Sequence, residues 1–239
     1  MDNIKIAVLC GGKGVRLKPL TYLIPKVLIM LRDKPILHHS LDHYSKQGIK
    51  DFLLCIGYKG EMIKDYFREI GDDSYKMSYI ESGDHVTMLK RIYDLKNHFD
   101  EDIVITYGDT ITNVIFEDLL KFHKENGSSA TIVTKDITSP FGLLDIQENK
   151  VKKFEEKPKF RYYIGTMVLN KGIFNHINKE LIEDENGIVK FFQKLVELNL
   201  LNSYHHQGKE LTFNTKAEMI SAEKEIIDFY TLTKNDTKK

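Results

Sequence analysis

Net charge is the first thing this sequence lacks. Its 35 lysines and arginines are matched by 35 aspartates and glutamates over 239 residues. A chain so balanced has no bulk positive field, which argues against a nucleic-acid partner and leaves phosphate handling to local clusters. Cysteine is scarce as well. Cys10 and Cys55 are the only two, each inside an apolar strand-like run, so they read as buried reduced thiols rather than a disulfide framework or a Cys/His metal site. Long hydrophobic runs are missing too. The first, residues 6–10, is five residues long, too short for the core of a signal peptide, and no later run would span a bilayer. The expectation is a cytoplasmic protein without membrane contact. Two familiar glycine motifs are also absent. No Gly-x-x-x-x-Gly-Lys-Ser/Thr occurs, and after Gly12 and Gly14 the third glycine of a dinucleotide fingerprint is replaced by Leu17. Those absences exclude a Walker-type NTPase and a dinucleotide-binding oxidoreductase.

What remains is an ordinary globular composition, 41% hydrophobic and 29% charged. Its length suits a single domain. Short apolar runs at 4–9, 52–56, 77–80 and 103–107 alternate with helical patterns at 61–67, 87–95 and 116–124. A helix opens at Pro35 and stops at Gly48, proline in and glycine out. This alternation predicts an α/β fold, a Rossmann-like three-layer sandwich with a mixed, mostly parallel central sheet. After residue 128 the pattern becomes β-rich, with strands at 130–134, 143–146, 151–154 and 163–169, then helices at 172–177, 189–198 and 216–230. One domain over 1–239 is expected, with a first half at 1–127, a β-rich second half at 128–233 and a frayed tail at 234–239.

Ligands of such sheets sit at the carboxyl ends of the strands. Two chemically suggestive segments fall there. Gly11-Gly12-Lys13-Gly14-Val15-Arg16 follows the first strand, and Gly108-Asp109 follows the strand at 103–107. Three glycines let backbone N–H groups face one concavity that a polyphosphate can enter. Arg16 offers a planar fork for phosphate oxygens, and Lys26, after Pro25, adds a second charge.

The run from Leu9 to Thr21, Leu-Cys-Gly-Gly-Lys-Gly-Val-Arg-Leu-Lys-Pro-Leu-Thr, followed by Pro25-Lys26, resembles the signature of the sugar-phosphate nucleotidylyltransferases. Their usual form is Gly-Gly-x-Gly-Thr-Arg-Leu-x-Pro-Leu-Thr with a later Pro-Lys. Only Val15 departs, in place of threonine. Lys34-Pro35-Ile36-Leu37, Gly57-Tyr58-Lys59-Gly60, Tyr107-Gly108-Asp109 and Phe154-Glu155-Glu156-Lys157-Pro158 continue the likeness in order, most closely to glucose-1-phosphate cytidylyltransferases. The resemblance implies transfer of a nucleoside monophosphate, CMP favoured, from an NTP to a phosphorylated small molecule, with release of pyrophosphate. The product would be an activated precursor for cell-surface polysaccharide. It also implies roles: Leu9, Gly11, Gly12 and Gly14 hold the nucleotide, and Arg16 meets the departing pyrophosphate. Lys26 meets phosphates at the reaction centre, and Lys157 meets the acceptor phosphate. Such relatives often associate, so a homo-oligomer is within expectation.

Phosphoryl chemistry of this kind calls for Mg²⁺. Asp109 is the first expected ligand. The second is Asn214, in Thr212-Phe213-Asn214-Thr215, where the closest relatives carry aspartate and the N-acetylglucosamine-1-phosphate uridylyltransferases carry asparagine. Its alternative is a cap for the last helix. The family's Thr-Gly-Gly-x-Leu-Lys-Arg segment is altered to Ser82-Gly83-Asp84-His85-Val86-Thr87-Met88-Leu89-Lys90-Arg91, which leaves Gly83 and Asp84 as base or ribose contacts. The acceptor segment Ile-Asn-Gly-Gly is altered to Tyr163-Ile164-Gly165-Thr166. Gly165 stays a candidate acceptor contact, whereas Ile164 cannot bond a sugar hydroxyl as asparagine does. That change opens the acceptor to non-sugar phosphates such as phosphocholine or a phosphorylated amino acid. The nine histidines show no ligand spacing and most read as helix-surface residues; His205-His206 read as an exposed strand end, with the acceptor pocket near Asn214 as the alternative. A non-catalytic, nucleotide-sugar-binding relative is the alternative to an enzyme.

Overall fold

Apolar residues on both faces of one strand require cover on both sides, and β1 (Lys5–Leu9) has them. Ile6 and Val8 join one buried cluster and Ala7 the other. The computed structural model describes residues 4–71, 74–127 and 129–231; the tail at 234–239 lies outside the described residues. After β1 the chain forms β2 (Met30–Leu31), β3 (Lys34–Pro35), α1 (Ile36–Ser45), β4 (Asp51–Ile56), α2 (Gly60–Ile70), β5 (Lys76–Glu81) and α3 (Met88–Asp94). Next come β6 (Asp102–Tyr107), β7 (Thr110–Thr112), α4 (Phe116–Glu125), β8 (Ala130–Thr138), β9 (Leu143–Gln147), β10 (Lys150–Glu155) and β11 (Lys159–Asn170). The last elements are α5 (Lys179–Glu183), α6 (Gly187–Glu197), β12 (Leu201–His205), β13 (Glu210–Thr212) and α7 (Lys216–Thr231).

Seven strands make the central sheet in the order β12-β8-β11-β6-β1-β4-β5. All neighbours pair parallel except β11, which runs antiparallel to both β6 and β8. The expected mixed, mostly parallel sheet in a three-layer sandwich is what the chain adopts. Helices α1, α2 and α4 cover one face through Leu37, Leu41, Ile63, Phe67, Phe116 and Leu119. Helices α3 and α6 cover the other through Leu89, Ile92, Phe191 and Leu195. Each such side chain, fully buried, contributes about 1.5–3 kcal/mol.

A third cluster lies apart from the sheet and holds α7 in place. Leu211 and Phe213 pack there with Leu31, Ile36, Ile111, Ala222, Ile226 and Phe229. Helix α1 therefore lies between two apolar layers, Ile36 in one and Leu37 and Leu41 in the other. This corrects the histidine expectation. His38, His39 and His123 are buried inside helices rather than on their surfaces. His39 Nε2 meets the Leu31 carbonyl at 2.8 Å, His38 Nδ1 meets the Tyr66 hydroxyl at 2.7 Å, and His123 Nδ1 meets Thr131 Oγ1 at 2.7 Å. His206 is also buried, its Nε2 2.9 Å from Asn113 Oδ1.

Further differences from the sequence reading concern short pieces. Residues 171–176 form 3₁₀ turns rather than an α-helix, and β2, β3, β7, β12, β13 and α5 went unpredicted. Strands of two to five residues carry too little alternation to stand out from loops. The β9–β10 hairpin stands off the sheet with every residue exposed.

Candidate active site

A cavity of about 630 Å³ opens where β1 and β6 end, at the sheet's carboxyl edge. The glycine loop forms its floor, and each glycine has a different reason to be glycine. Gly12 borders open space, with nothing within 4 Å of the Cβ it lacks. Gly14 has φ +58°, the left-handed region that glycine occupies without strain, and its carbonyl accepts from Thr21 Oγ1 at 3.1 Å. A Cβ on Gly11 would lie 2.2 Å from Nη1 of Arg91. The expectation of one common reason, close approach of a polyphosphate, therefore fits Gly12 alone; Gly11 makes room for a side chain of the protein itself.

Beyond Gly14 the chain makes a 3₁₀ turn (Val15–Leu17), which leaves Arg16 exposed on the cavity rim. Pro25, extended at φ −66° and ψ 145°, then leads into a second turn that starts at Lys26. Lys26 is only 7% exposed. Its Nζ lies 2.5 Å from Asp109 Oδ2 and 3.1 Å from Asn214 Oδ1, and 5.4 Å from the centre of the Phe213 ring. The two expected metal ligands thus meet at one ammonium.

The short β7–β13 pairing places them there. Thr110 faces Thr212 across it, and Thr212 Oγ1 donates to the Asp109 carbonyl at 2.9 Å. Phe213, wholly buried, anchors the next residue. Asn214 does not cap α7. Thr215 Oγ1 accepts from the Glu218 N–H at 3.2 Å, and Glu218 Oε2 reaches back to the Asn214 N–H at 2.6 Å, a variant of the reciprocal capping box. The Asn214 amide is thereby left to face Lys26. One carboxylate and one neutral amide oxygen on a common point suit Mg²⁺, which takes few protein oxygens and fills its octahedron with phosphate and water. Among the described residues no group of three or more His, Cys, Asp or Glu could hold a metal.

The opposite wall comes from the segment after β5. Asp84, His85 and Val86 line the cavity, and Lys13 Nζ spans to His85 Nδ1 at 3.1 Å. Gly83, at φ +91°, is not on the lining; its carbonyl accepts from Arg91 Nη2 at 2.8 Å. Leu9 and Cys10 line the floor, and burial pushes the Cys10 thiol well above its usual range, which leaves it inert.

Acceptor-side expectations fare differently. Gly165, at φ +81°, lies under the Tyr107 ring, whose Cδ2 would be 2.6 Å from a Cβ there. Tyr107 itself lines the cavity, its hydroxyl 3.1 Å from Met88 Sδ, with burial raising its pKa. Lys157 is exposed, at φ +47°, between β10 and β11, and does not line the cavity. Ile164 is 3% exposed and packs in the core, not in the cavity. The pairing of β11 with β8 shifts register between Tyr163 and Met167, and this irregularity at Gly165 accompanies an inward Ile164. Its loss of a hydroxyl partner therefore carries no weight for the acceptor. Two charged lining residues outside the glycine loop, Arg91 and Glu185, were given no role by the sequence reading. Arg91 had a signal, an arginine between the buried Leu89 and Ile92 of α3; Glu185 had none.

Residues 5–210 match the Nucleotidyl transferase family. A Bacillus subtilis (strain 168) protein named "Probable glucose-1-phosphate cytidylyltransferase" is 31% identical, covering 92% of this chain and 95% of its own. The Salmonella typhi glucose-1-phosphate cytidylyltransferase is 33% identical over 86% of this chain and 89% of its own. A solved UDP-glucose pyrophosphorylase complexed with UDP-glucose superposes with a TM-score of 0.72, covering 94% of this chain and 98% of that one at 16% identity, a likeness of fold. With loop, lysine and aspartate gathered on one cavity, the chain belongs to the nucleotidyl transferase family.

Proposed function

We propose that this chain transfers a nucleoside monophosphate, CMP in preference, from an NTP to a phosphorylated small molecule. The observation that carries the proposal is the convergence of Lys26, Asp109 and Asn214 in the cavity floored by the glycine loop. An acceptor phosphate oxygen attacks the α-phosphorus in line; the new P–O bond forms as the bond to pyrophosphate breaks. No covalent nucleophile of the protein is needed, so the residues act by position and charge. Gly12 offers its backbone to the triphosphate, Arg16 holds the leaving pyrophosphate from the rim, and Lys26 neutralises oxygens at the reaction centre. Asp84 borders the base and ribose, and Gly83, just behind the lining, sets the course of that wall. Asp109 and Asn214 would hold Mg²⁺, which supplies charge neutralisation at the phosphate oxygens when bound.

CTP is favoured because relatives named as glucose-1-phosphate cytidylyltransferases are 31–33% identical. For the acceptor, a sugar 1-phosphate or a non-sugar phosphate such as phosphocholine or a phosphorylated amino acid, the support is the lining itself. Beyond the phosphate region it offers Tyr107, Met88, Val86 and the carboxylate of Glu185, and Asn214 is its one side-chain amide. Lys157 and Gly165 are retained as acceptor contacts, the first to be tested by Lys157→Met. The product would serve cell-surface polysaccharide synthesis in the cytoplasm, and a homo-oligomer belongs to the same proposal. A non-catalytic relative would not need Arg16, Lys26 and Asp109 together on one cavity.

The test is thermal shift with each of four NTPs and Mg²⁺, followed by pyrophosphate release with CTP and a panel of acceptors. CTP should raise Tm most and one acceptor class should release pyrophosphate. Equal response to no nucleotide and to CTP would sink the proposal.

A further inference from the structure

Arg91 is a buried cation whose hydrogen-bond partners are carbonyls. It is 6% exposed, and burial pulls its guanidinium down from its usual pKa. Nη1 donates to the Ile56 carbonyl at 3.0 Å and Nη2 to the Gly83 carbonyl at 2.8 Å. The first carbonyl ends β4 and the second follows β5. On its other side the guanidinium lies against the glycine loop, where a Cβ on Gly11 would come within 2.2 Å of Nη1 and 2.3 Å of Cζ. Gly57 makes the same allowance: its Cβ would stand 2.4 Å from Nη1 and 2.7 Å from the Gly83 carbonyl oxygen. The Gly11 carbonyl also accepts from the Tyr58 N–H at 3.3 Å, so the ends of β1 and β4 are tied on both sides of Arg91.

Burying a guanidinium against two neutral carbonyls costs free energy that a leucine there would not. The planar fork is what such a site gains, because its N–H groups hold two carbonyls at a set separation and angle, which an ammonium cannot do. The carbonyl it fixes on one side belongs to Gly83, at φ +91°, directly before the lining residues Asp84, His85 and Val86. The backbone it supports on the other side is the cavity floor.

We infer that Arg91 is a positioning residue for the nucleotide. It sets the distance between the glycine loop and the 83–86 wall, and so the width of the slot between them. The inference rests on the cavity being the NTP site. Gly11 is glycine because that guanidinium lies against it, and Gly57 because the guanidinium and the Gly83 carbonyl both do; a side chain at either position should disturb the same slot.

The experiment compares wild type, Arg91→Lys, Arg91→Met and Gly57→Ala, with Tm in the absence and presence of CTP and KM and kcat for CTP at saturating glucose 1-phosphate. Arg91→Lys and Arg91→Met should both raise KM for CTP by about tenfold or more and change kcat by less than about threefold, the signature of lost binding rather than lost chemistry. Gly57→Ala, which presses on both the guanidinium and the Gly83 carbonyl, should give the same split. Should Arg91→Met fail to fold, Arg91→Lys and Gly57→Ala decide the matter alone. A wild-type-like KM in Arg91→Lys overturns the inference while leaving the nucleotide site intact. Wild type that no NTP stabilises overturns both.

Discussion

The Nζ of Lys26 stands 2.5 Å from Oδ2 of Asp109, although 83 residues separate the two in sequence. The lysine is almost wholly enclosed, its side chain 8% exposed against 29% for the aspartate. Removing one partner leaves a buried charge. Asp109→Ala should therefore lower stability by about 3 kcal/mol, the low end of the range for a broken buried pair because Asp109 keeps some water. Pairing it with Lys26→Met should restore part of the lost Tm. Both single variants should lower pyrophosphate release by about a hundredfold or more. An Asp109→Ala protein with wild-type turnover would remove that residue from the mechanism.

Asn214 brings an oxygen without a charge. Asn214→Asp should lower the Mg²⁺ concentration for half-maximal activity by at least about threefold, since a carboxylate binds a hard cation more strongly than an amide does. Asn214→Ala should raise it. A Mg²⁺ titration in which all three proteins coincide would leave Asn214 as a partner of Lys26 only.

Glu185 is exposed on the cavity lining, between α5 and α6. If the acceptor carries an ammonium group, Glu185→Gln should raise its KM by about tenfold, as expected for loss of one charged contact of 1–2 kcal/mol, and leave KM for CTP unchanged. A neutral sugar phosphate that reacts equally well with both proteins assigns the carboxylate no part in acceptor choice.

His43 and His206 give the fold a pH dependence. Burial is the main cause that holds each imidazole down at about 4, from an ordinary 6.5. His43 Nε2 has no hydrogen-bond partner and its ring meets Phe229 edge-on at 5.7 Å. The unfolded chain takes up these protons near pH 6.5, and the folded chain only near 4. Their stabilising contribution is therefore complete above 6.5 and is lost as pH falls toward 4. At pH 5 the loss is on the order of 2 kcal/mol for each histidine, or roughly 4–8 °C in Tm. His43→Phe should flatten the decline of Tm between pH 7 and pH 5; an unaltered slope would show that His43 does not drive it.

The elements that the sequence reading found are those with enough repeats of a pattern to see. Pro35 and Gly48 bracket α1, Gly48 closing its end through an N–H to the Ser45 carbonyl at 2.9 Å. The apolar runs of β1, β4 and β6 were similarly plain. The glycine loop, Lys26 and Asp109 were legible because their chemistry is local: a strand end, flexible backbone, and charge with no other evident use. Glu185 was not, because nothing within ten residues of it hints at a cavity.

Local pattern and residue chemistry thus sufficed for the sheet, its two covered faces and the strand-end edge where the cavity opens. The meeting of Lys26 with Asn214, 188 residues apart, needed the three-residue strands β7 and β13 to pair, and such strands have no stability outside the fold that holds them. The reason Gly11 is glycine is likewise an arginine 80 residues downstream. A side chain's charge and size are written at its own position, but its neighbours are set by closure of the chain around a core, and the site consists of neighbours.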